Sequence, residues 1–288
     1  MSIAKVMIVD DSPFSRAILA EALKESDCEV VGEADSIETL LTTYKECQPD
    51  IVTMDIAMPG ADGFECSRAI LLHNPSAKII LVSSMKDEGT ESEARRIGIS
   101  GYVQKPVENE HLIEVIKNVL APDVLYEKLI SLGLDTFKES LAQNITRITK
   151  TTPVIEEKKS PNNKKTQEIT IVIGIIGVYS GTVMMNLSLK SADKMAELIF
   201  KRQAKNQNEI VHMVAEFANV VGGISCSMLN NKEKKLGLRV APPSIFLAGE
   251  SAEIVSPTIE LKNIIAKTDF GDIELSVGFK KESTYLWM

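Results

Sequence analysis

The sequence predicts two folds in one chain: an α/β doubly wound, five-stranded parallel sheet over residues 1–120, and an α+β domain after it. Three observations predict this. Strand and helix patterns alternate five times in the first 120 residues, as crossover connections between parallel strands require. The strands there are near-continuous apolar runs, expected where a sheet is covered on both faces. Beyond about residue 168 strand patterns follow one another directly and helices are few. A length of 288 residues suits two domains.

Composition narrows the function classes. Hydrophobic residues make up 44% and charged ones 25%, enough for two cores. The net charge of −8 divides as −10 over residues 1–120 and +2 over the rest. Neither half has the basic surface that draws nucleic acid, so no nucleic-acid partner is expected. No apolar run reaches the ~20 residues of a membrane span, and residues 1–11 (MSIAKVMIVDD) enter a strand without a signal-peptide pattern. No membrane partner is therefore expected. Cys28, Cys47, Cys66 and Cys226 show no metal-ligand spacing and read as buried thiols of a reducing, cytoplasmic compartment.

In order, residues 5–11 form a strand ending in two acids. Ser12-Pro13 then opens a helix, a hydroxyl N-cap followed by proline in the first turn. Residues 29–34 are strand and 36–46 helix. The third strand carries Ile51, Val52, Met54 and Ile56, with Asp55 at its carboxyl end and Pro59, Gly60 and Gly63 breaking the chain after it. Residues 63–74 read as helix, 78–84 as strand, 88–98 as helix, 101–105 as strand and 109–120 as helix.

This order sends Asp10, Asp11, Asp55, Ser83 and Lys105 to the carboxyl edge of one sheet, where open α/β folds hold their ligands. Clustered carboxylates repel one another unless a cation lies between them, and all-oxygen ligation points to Mg²⁺. A lysine and a hydroxyl nearby suit the oxygens of a phosphoryl group carried on one carboxylate.

Residues 1–120 resemble a CheY-type response-regulator receiver domain, of flavodoxin-like fold. The resemblance rests on Asp10-Asp11, on the segment Asp55-Ile56-Ala57-Met58-Pro59-Gly60-Ala61-Asp62-Gly63, on Ser83 and on Lys105-Pro106. It implies that Asp55 is the phosphoacceptor for a sensor histidine kinase. Mg²⁺ is held by Asp11, Asp55 and the Ala57 carbonyl, with Asp10 acting through water. Lys105 contacts the phosphoryl group, Ser83 moves toward it, and Tyr102 is the coupled aromatic. The bond before Pro106 is expected to be cis.

Residues 121–133 carry Val124, Leu125, Leu129 and Leu132 near helical spacing, with Gly133 as a stop, and read as a linker or a connecting helix. The second domain takes residues 134–288. Residues 150–168 are polar and lysine-rich and read as an exposed hairpin loop. Residues 168–189 give two antiparallel strands turning near 178–180, and 191–200 a short helix. Residues 236–243 and 244–249 are extended, and 262–270 with 272–279 form a last strand pair.

The helix over residues 209–229 stands apart. Its apolar residues cover most of its surface, yet His212, Glu216, Asn219 and Gly223 line one face at i, i+4, i+7 and i+11. That strip lacks the lysine or second carboxylate of an ordinary solvated face. The adjoining Gly222-Gly223 leaves room for another backbone to approach.

Residues 134–283 resemble the CheX branch of the CheC/CheX/FliY phosphatases. The marks are Glu216-Phe217-Ala218-Asn219, the following Gly222-Gly223, and Pro242. His212 departs from the Asp or Ser usual there, which puts efficiency or partner choice in doubt. The resemblance implies an aspartyl-phosphate phosphatase of CheY-type receivers, with Glu216 and Asn219 catalytic; action mainly in trans is expected because an unrestricted tethered phosphatase would strip its own receiver at once. It also implies a homodimer through the CheX-like domain. Physically, an in-line water needs only orientation, which an amide such as Asn219 supplies, while Glu216 pairs with the receiver's active-site lysine. Two rivals remain: a non-catalytic module that dimerises or binds phosphorylated receivers, and a cis-acting timer that clears its own Asp55.

Overall fold

The computed structural model describes residues 4–24, 26–84, 88–158, 163–165, 168–247, 253–255 and 259–281. The chain divides into two compact units, one ending at Val124 and the next beginning at Leu125.

The first unit alternates as expected: β1 (Ala4–Val9), α1 (Pro13–Lys24), β2 (Cys28–Ala34), α2 (Ile37–Cys47), β3 (Ile51–Asp55), α3 (Gly63–His73), β4 (Ile79–Ser83), α4 (Glu88–Ile97), β5 (Gly101–Gln104) and then α5 (Asn109–Thr149). The strands form one parallel sheet in the order 2-1-3-4-5. β3 and β4 are buried at every position, as strands covered on both faces must be. One apolar cluster gathers Met7, Val9, Leu40, Met54, Ile70 and Leu81 on one face. Another gathers Val6, Ile8, Leu19, Ile80, Val103 and Leu112 on the other. Register makes the edge that matters. Val9 lies opposite Met54, Asp55 opposite Val82 and Ser83 opposite Gln104, so the strands end nearly level.

The second unit begins inside α5, whose 41 residues run through the segment expected to be linker or connecting helix and on to Thr149. Gly133 does not stop this helix. A Cβ there would meet the Phe279 ring at 3.0 Å, so the glycine admits an aromatic ring from the sheet. The remaining elements are β6 (Val154–Lys158), β7 (Asn163–Lys165), β8 (Ile169–Ile176), β9 (Gly181–Leu187), α6 (Leu189–Phe200), α7 (Gln207–Lys232), a 3₁₀ turn at Lys234–Leu236, β10 (Arg239–Val240), β11 (Ser244–Leu247), β12 (Glu253–Val255), β13 (Lys262–Thr268) and β14 (Gly271–Phe279). Six strands run in the order 10-8-9-14-13-6, with β11 also pairing β8, and β7 pairs β12 separately. All these pairings are antiparallel.

Other sequence expectations change here too. Within residues 150–168, Val154–Lys158 is an edge strand paired with β13 rather than loop, while 159–162 and 166–167 lie outside the described residues. Its run of exposed charges hid it, since an edge strand buries little. Residues 236–243 are not one extended run but a 3₁₀ turn followed by a two-residue strand. Cys28 and Cys47 are only half-buried, unlike Cys66 and Cys226.

The core of the second unit joins Leu129, Phe137, Leu141 and Ile145 of α5 to the inward residues of β8, β9, β13 and β14 and to α6 and α7. α7 is long and apolar enough, by length and composition, to cross a membrane, contrary to the reading of the bare sequence. Its apolar residues Val214, Ala218, Val221 and Leu229 are spent instead in this core.

Candidate functional site

The carboxyl edge of the parallel sheet brings Asp10, Asp11 and Asp55 together, with one oxygen of each within 4.8 Å of the others. Asp10 and Asp55 are buried, and Asp11 is half-buried. Lys105 reaches into them from the end of β5, donating to Asp10 Oδ2 at 2.9 Å and to Asp55 Oδ1 at 2.8 Å. Burial pulls the Lys105 pKa down, but hydrogen bonds and charge from Asp55 and Asp10 outweigh it and leave the pKa raised. One ammonium against three carboxylates leaves excess negative charge in a poorly hydrated edge, which a divalent cation relieves.

The free oxygens show where an ion fits. Asp10 spends both oxygens on the protein, Oδ2 on Lys105 and Oδ1 on the Ser12 N–H at 2.9 Å. Among the described residues Asp55 commits only Oδ1, and the Asp11 carboxylate takes no hydrogen bond. The donor set thus fits an oxygen-seeking cation such as Mg²⁺, with Asp11 and Asp55 as direct ligands and Asp10 one step removed.

Other predicted residues lie around this trio. Ser83 ends β4, is buried, and its carbonyl accepts the Lys105 N–H at 2.7 Å. The Tyr102 hydroxyl donates to the same carbonyl at 3.5 Å. Ala57 is exposed on the loop after Asp55. Lys105-Pro106 is cis. Gly63 is needed where α3 starts, because a Cβ there would stand 2.1 Å from the Asp55 carbonyl oxygen. The Asp62 side chain caps α3 through the Glu65 N–H. The sequence reading missed Arg16, which donates to the carbonyl of Asp10 at 2.8 Å and to Glu33 at 2.8 Å. A lone arginine near a helix start gives no pattern by which to find it.

A second candidate surface lies on α7. The Asn206 side chain caps the helix through the Glu209 N–H. Ser140 of α5 donates to the Val221 carbonyl at 3.0 Å, seating α5 on it. The predicted strip is among what remains uncovered: His212 and Glu216 are exposed, and Asn219 and Gly223 half-exposed. Among the described residues none of the three polar side chains has a hydrogen-bond partner. Gly222 admits a side chain rather than a backbone, since a Cβ there would meet Val240 Cγ1 at 3.2 Å. Asn230 holds that segment on α7 by exchanging two hydrogen bonds of 2.8 Å with the Leu238 backbone. The segment leads directly to Pro242.

A level parallel sheet with an acid trio and a lysine at its carboxyl edge defines a receiver domain. Comparison with known proteins agrees. A family model described as "Response regulator receiver domain" matches residues 6–117, and one described as "Chemotaxis phosphatase CheX" matches residues 169–265. The Chemotaxis protein CheY of Listeria monocytogenes is 38% identical over 113 residues, 39% of this chain and 95% of that protein. That of Thermotoga maritima is 36% identical over 115 residues, 40% of this chain and 96% of that protein. A solved CheX from Desulfovibrio desulfuricans is 18% identical, with a TM-score of 0.44, over 51% of this chain and 97% of that one. The chain belongs to the response-regulator receiver family and joins its receiver to a CheX domain, a combination of chemotaxis signalling.

Proposed function

We propose that this chain is a phosphorylatable cytoplasmic receiver fused to an aspartyl-phosphate phosphatase that acts mainly in trans on separate CheY-type receivers. In the receiver, Asp55 takes phosphate from a sensor histidine kinase. Asp11, Asp55 and the Ala57 carbonyl would hold Mg²⁺, which when bound would neutralise charge at the phosphoryl oxygens. Lys105, already poised between Asp10 and Asp55, offers the same oxygens a second positive partner. Ser83 and Tyr102, linked through one carbonyl, are suited to report the change.

The observation that carries the phosphatase reading is the α7 strip. A helix whose apolar residues pack in a core presents Glu216 and Asn219 one turn apart, with no partner for either among the described residues. The family model matching residues 169–265 supports the same reading. Hydrolysis of an aspartyl phosphate needs a water aligned about 3 Å from phosphorus, and a neutral amide aligns it without a proton transfer. Asn219 takes that task, and Glu216 pairs with the lysine of the partner receiver.

The experiment is phosphate release from a separate phosphorylated CheY-type receiver. The wild-type chain should accelerate it. Asn219→Ala should lose on the order of 10²-fold in rate, the size of effect a misplaced reactant produces, while still binding the phosphorylated receiver. Unchanged release by Asn219→Ala would remove the assignment, and binding without any wild-type acceleration would favour a non-catalytic module.

A further inference from the structure

We propose that Arg16 is a positioning residue for the divalent cation: its guanidinium clamps the turn that presents Asp11. The inference rests on the receiver reading of the acid trio and adds a residue to it. β1 ends at Val9, so the carbonyls of Asp10 and Asp11 lie beyond the strand ladder. Arg16 takes both, donating through one nitrogen to the Asp10 carbonyl at 2.8 Å and to the Asp11 carbonyl at 3.4 Å. Its Nε donates to Glu33 at 2.8 Å, and the arginine side chain is only 18% exposed. The rest of the turn is also fixed. The Asp10 N–H bonds the Ala34 carbonyl at 3.2 Å, and the Ser12 N–H bonds Asp10 Oδ1. Every polar group of Asp10 is thereby committed, and the Asp11 carboxylate is left to the ion.

Two effects of Arg16 oppose each other. Its positive charge repels a cation, whereas its hydrogen bonds hold the ligand turn in place. Glu33 decides between them. Paired with that carboxylate, the guanidinium is locally neutralised and its repulsion is weak beside the field of three carboxylates. Positioning therefore dominates, and losing it should weaken the ion, as loss of partners behind metal ligands does.

The test is ion affinity in the full chain, read by proton relaxation of Mn²⁺ and its displacement by Mg²⁺, with no phosphodonor present. Arg16→Met should weaken both ions roughly tenfold. Arg16→Lys keeps the charge without the planar fork, and should recover only part of the loss. Ile70→Val, in the core on the other face of the sheet, should lower the melting temperature and leave affinity unchanged. Affinity unchanged or tighter in Arg16→Met would overturn the clamp, as would an equal loss in Ile70→Val. Asp11→Asn separates the two readings. If it abolishes binding while Arg16→Met leaves affinity unchanged, the clamp alone fails; if it changes nothing, the cation site fails with it.

Discussion

At the scale of single residues, the charge imbalance around Asp55 makes the first prediction. Lys105 bonds two of the three carboxylates, and among the described residues Asp11 and Asp55 keep uncommitted oxygens. Incubation with a small phosphodonor should label the chain with an acid-stable, base-labile adduct, and prior addition of EDTA should abolish it. Equal labelling of Asp55→Asn would show that another side chain takes the phosphate. The cysteines give a second test. Burial pushes the Cys66 and Cys226 thiols up to about 11, so at pH 8 about one part in a thousand is thiolate. Native protein should alkylate slowly at these two positions and quickly after unfolding; fast native modification of Cys226 would contradict its burial on the core side of α7. Asp10, Asp11, Asp55, Ser83 and Lys105 were legible because the parallel fold sends strand ends to one edge. Arg16 was not, because the carbonyls it serves appear only once β1 and α1 are set side by side.

At the scale of elements, the start of α7 rests on a reciprocal cap. Asn206 accepts the Glu209 N–H, and Glu209 accepts the Lys205 N–H and both reaches of Arg202, the logic of a capping box. Hydrogen bonds from Arg202, then from the Lys205 backbone, hold the Glu209 carboxyl down at about 2. A depressed folded-state pKa stabilises above the unfolded value of roughly 4.3 and is lost as pH falls toward about 2. Thermal melts between pH 5 and 2 should therefore fall less steeply for Glu209→Gln than for wild type; parallel curves would show that the cap carries no pH-linked stability. α5 tests packing instead. Phe137 is fully buried, so Phe137→Ala should cost about 3–5 kcal/mol in denaturant unfolding of the second unit, and a loss below about 1 kcal/mol would place it outside the core. This half of α5 was poorly legible, because Gly133 read as a stop. In the fold Pro122 lies within the helix and Gly133 makes room for Phe279. β6 was missed for the opposite reason: VIEEK has the composition of a loop, and only its pairing with β13 makes it a strand. The α7 strip was legible, since it needs only helical spacing and an apolar remainder.

At the scale of the whole molecule, the antiparallel sheet poses a question about its edges. β6 carries Glu156, Glu157 and Lys158, the charges that discourage pairing. β11 offers Ile245, Phe246 and Leu247, all exposed. A homodimer that continues the sheet should therefore use β11, and Phe246→Lys should convert a micromolar dimer to monomer in light scattering; a wild-type monomer would end that expectation. Trans action is the remaining prediction. A flexible tether would raise the local concentration of a phosphatase near its own receiver to roughly millimolar, and Asp55 would never hold phosphate. Residues 121–133 belong to α5 rather than to a coil, so the figure for a flexible tether does not carry over. Phosphorylated wild type should then lose its own phosphate no faster than phosphorylated Asn219→Ala, while still clearing a separate CheY-type receiver. Wild-type decay that is independent of concentration, much faster than that of Asn219→Ala, and unaided by added Asp55→Asn protein would establish cis hydrolysis. The chain would then be a self-resetting timer, with Asn219 acting on Asp55 of the same molecule.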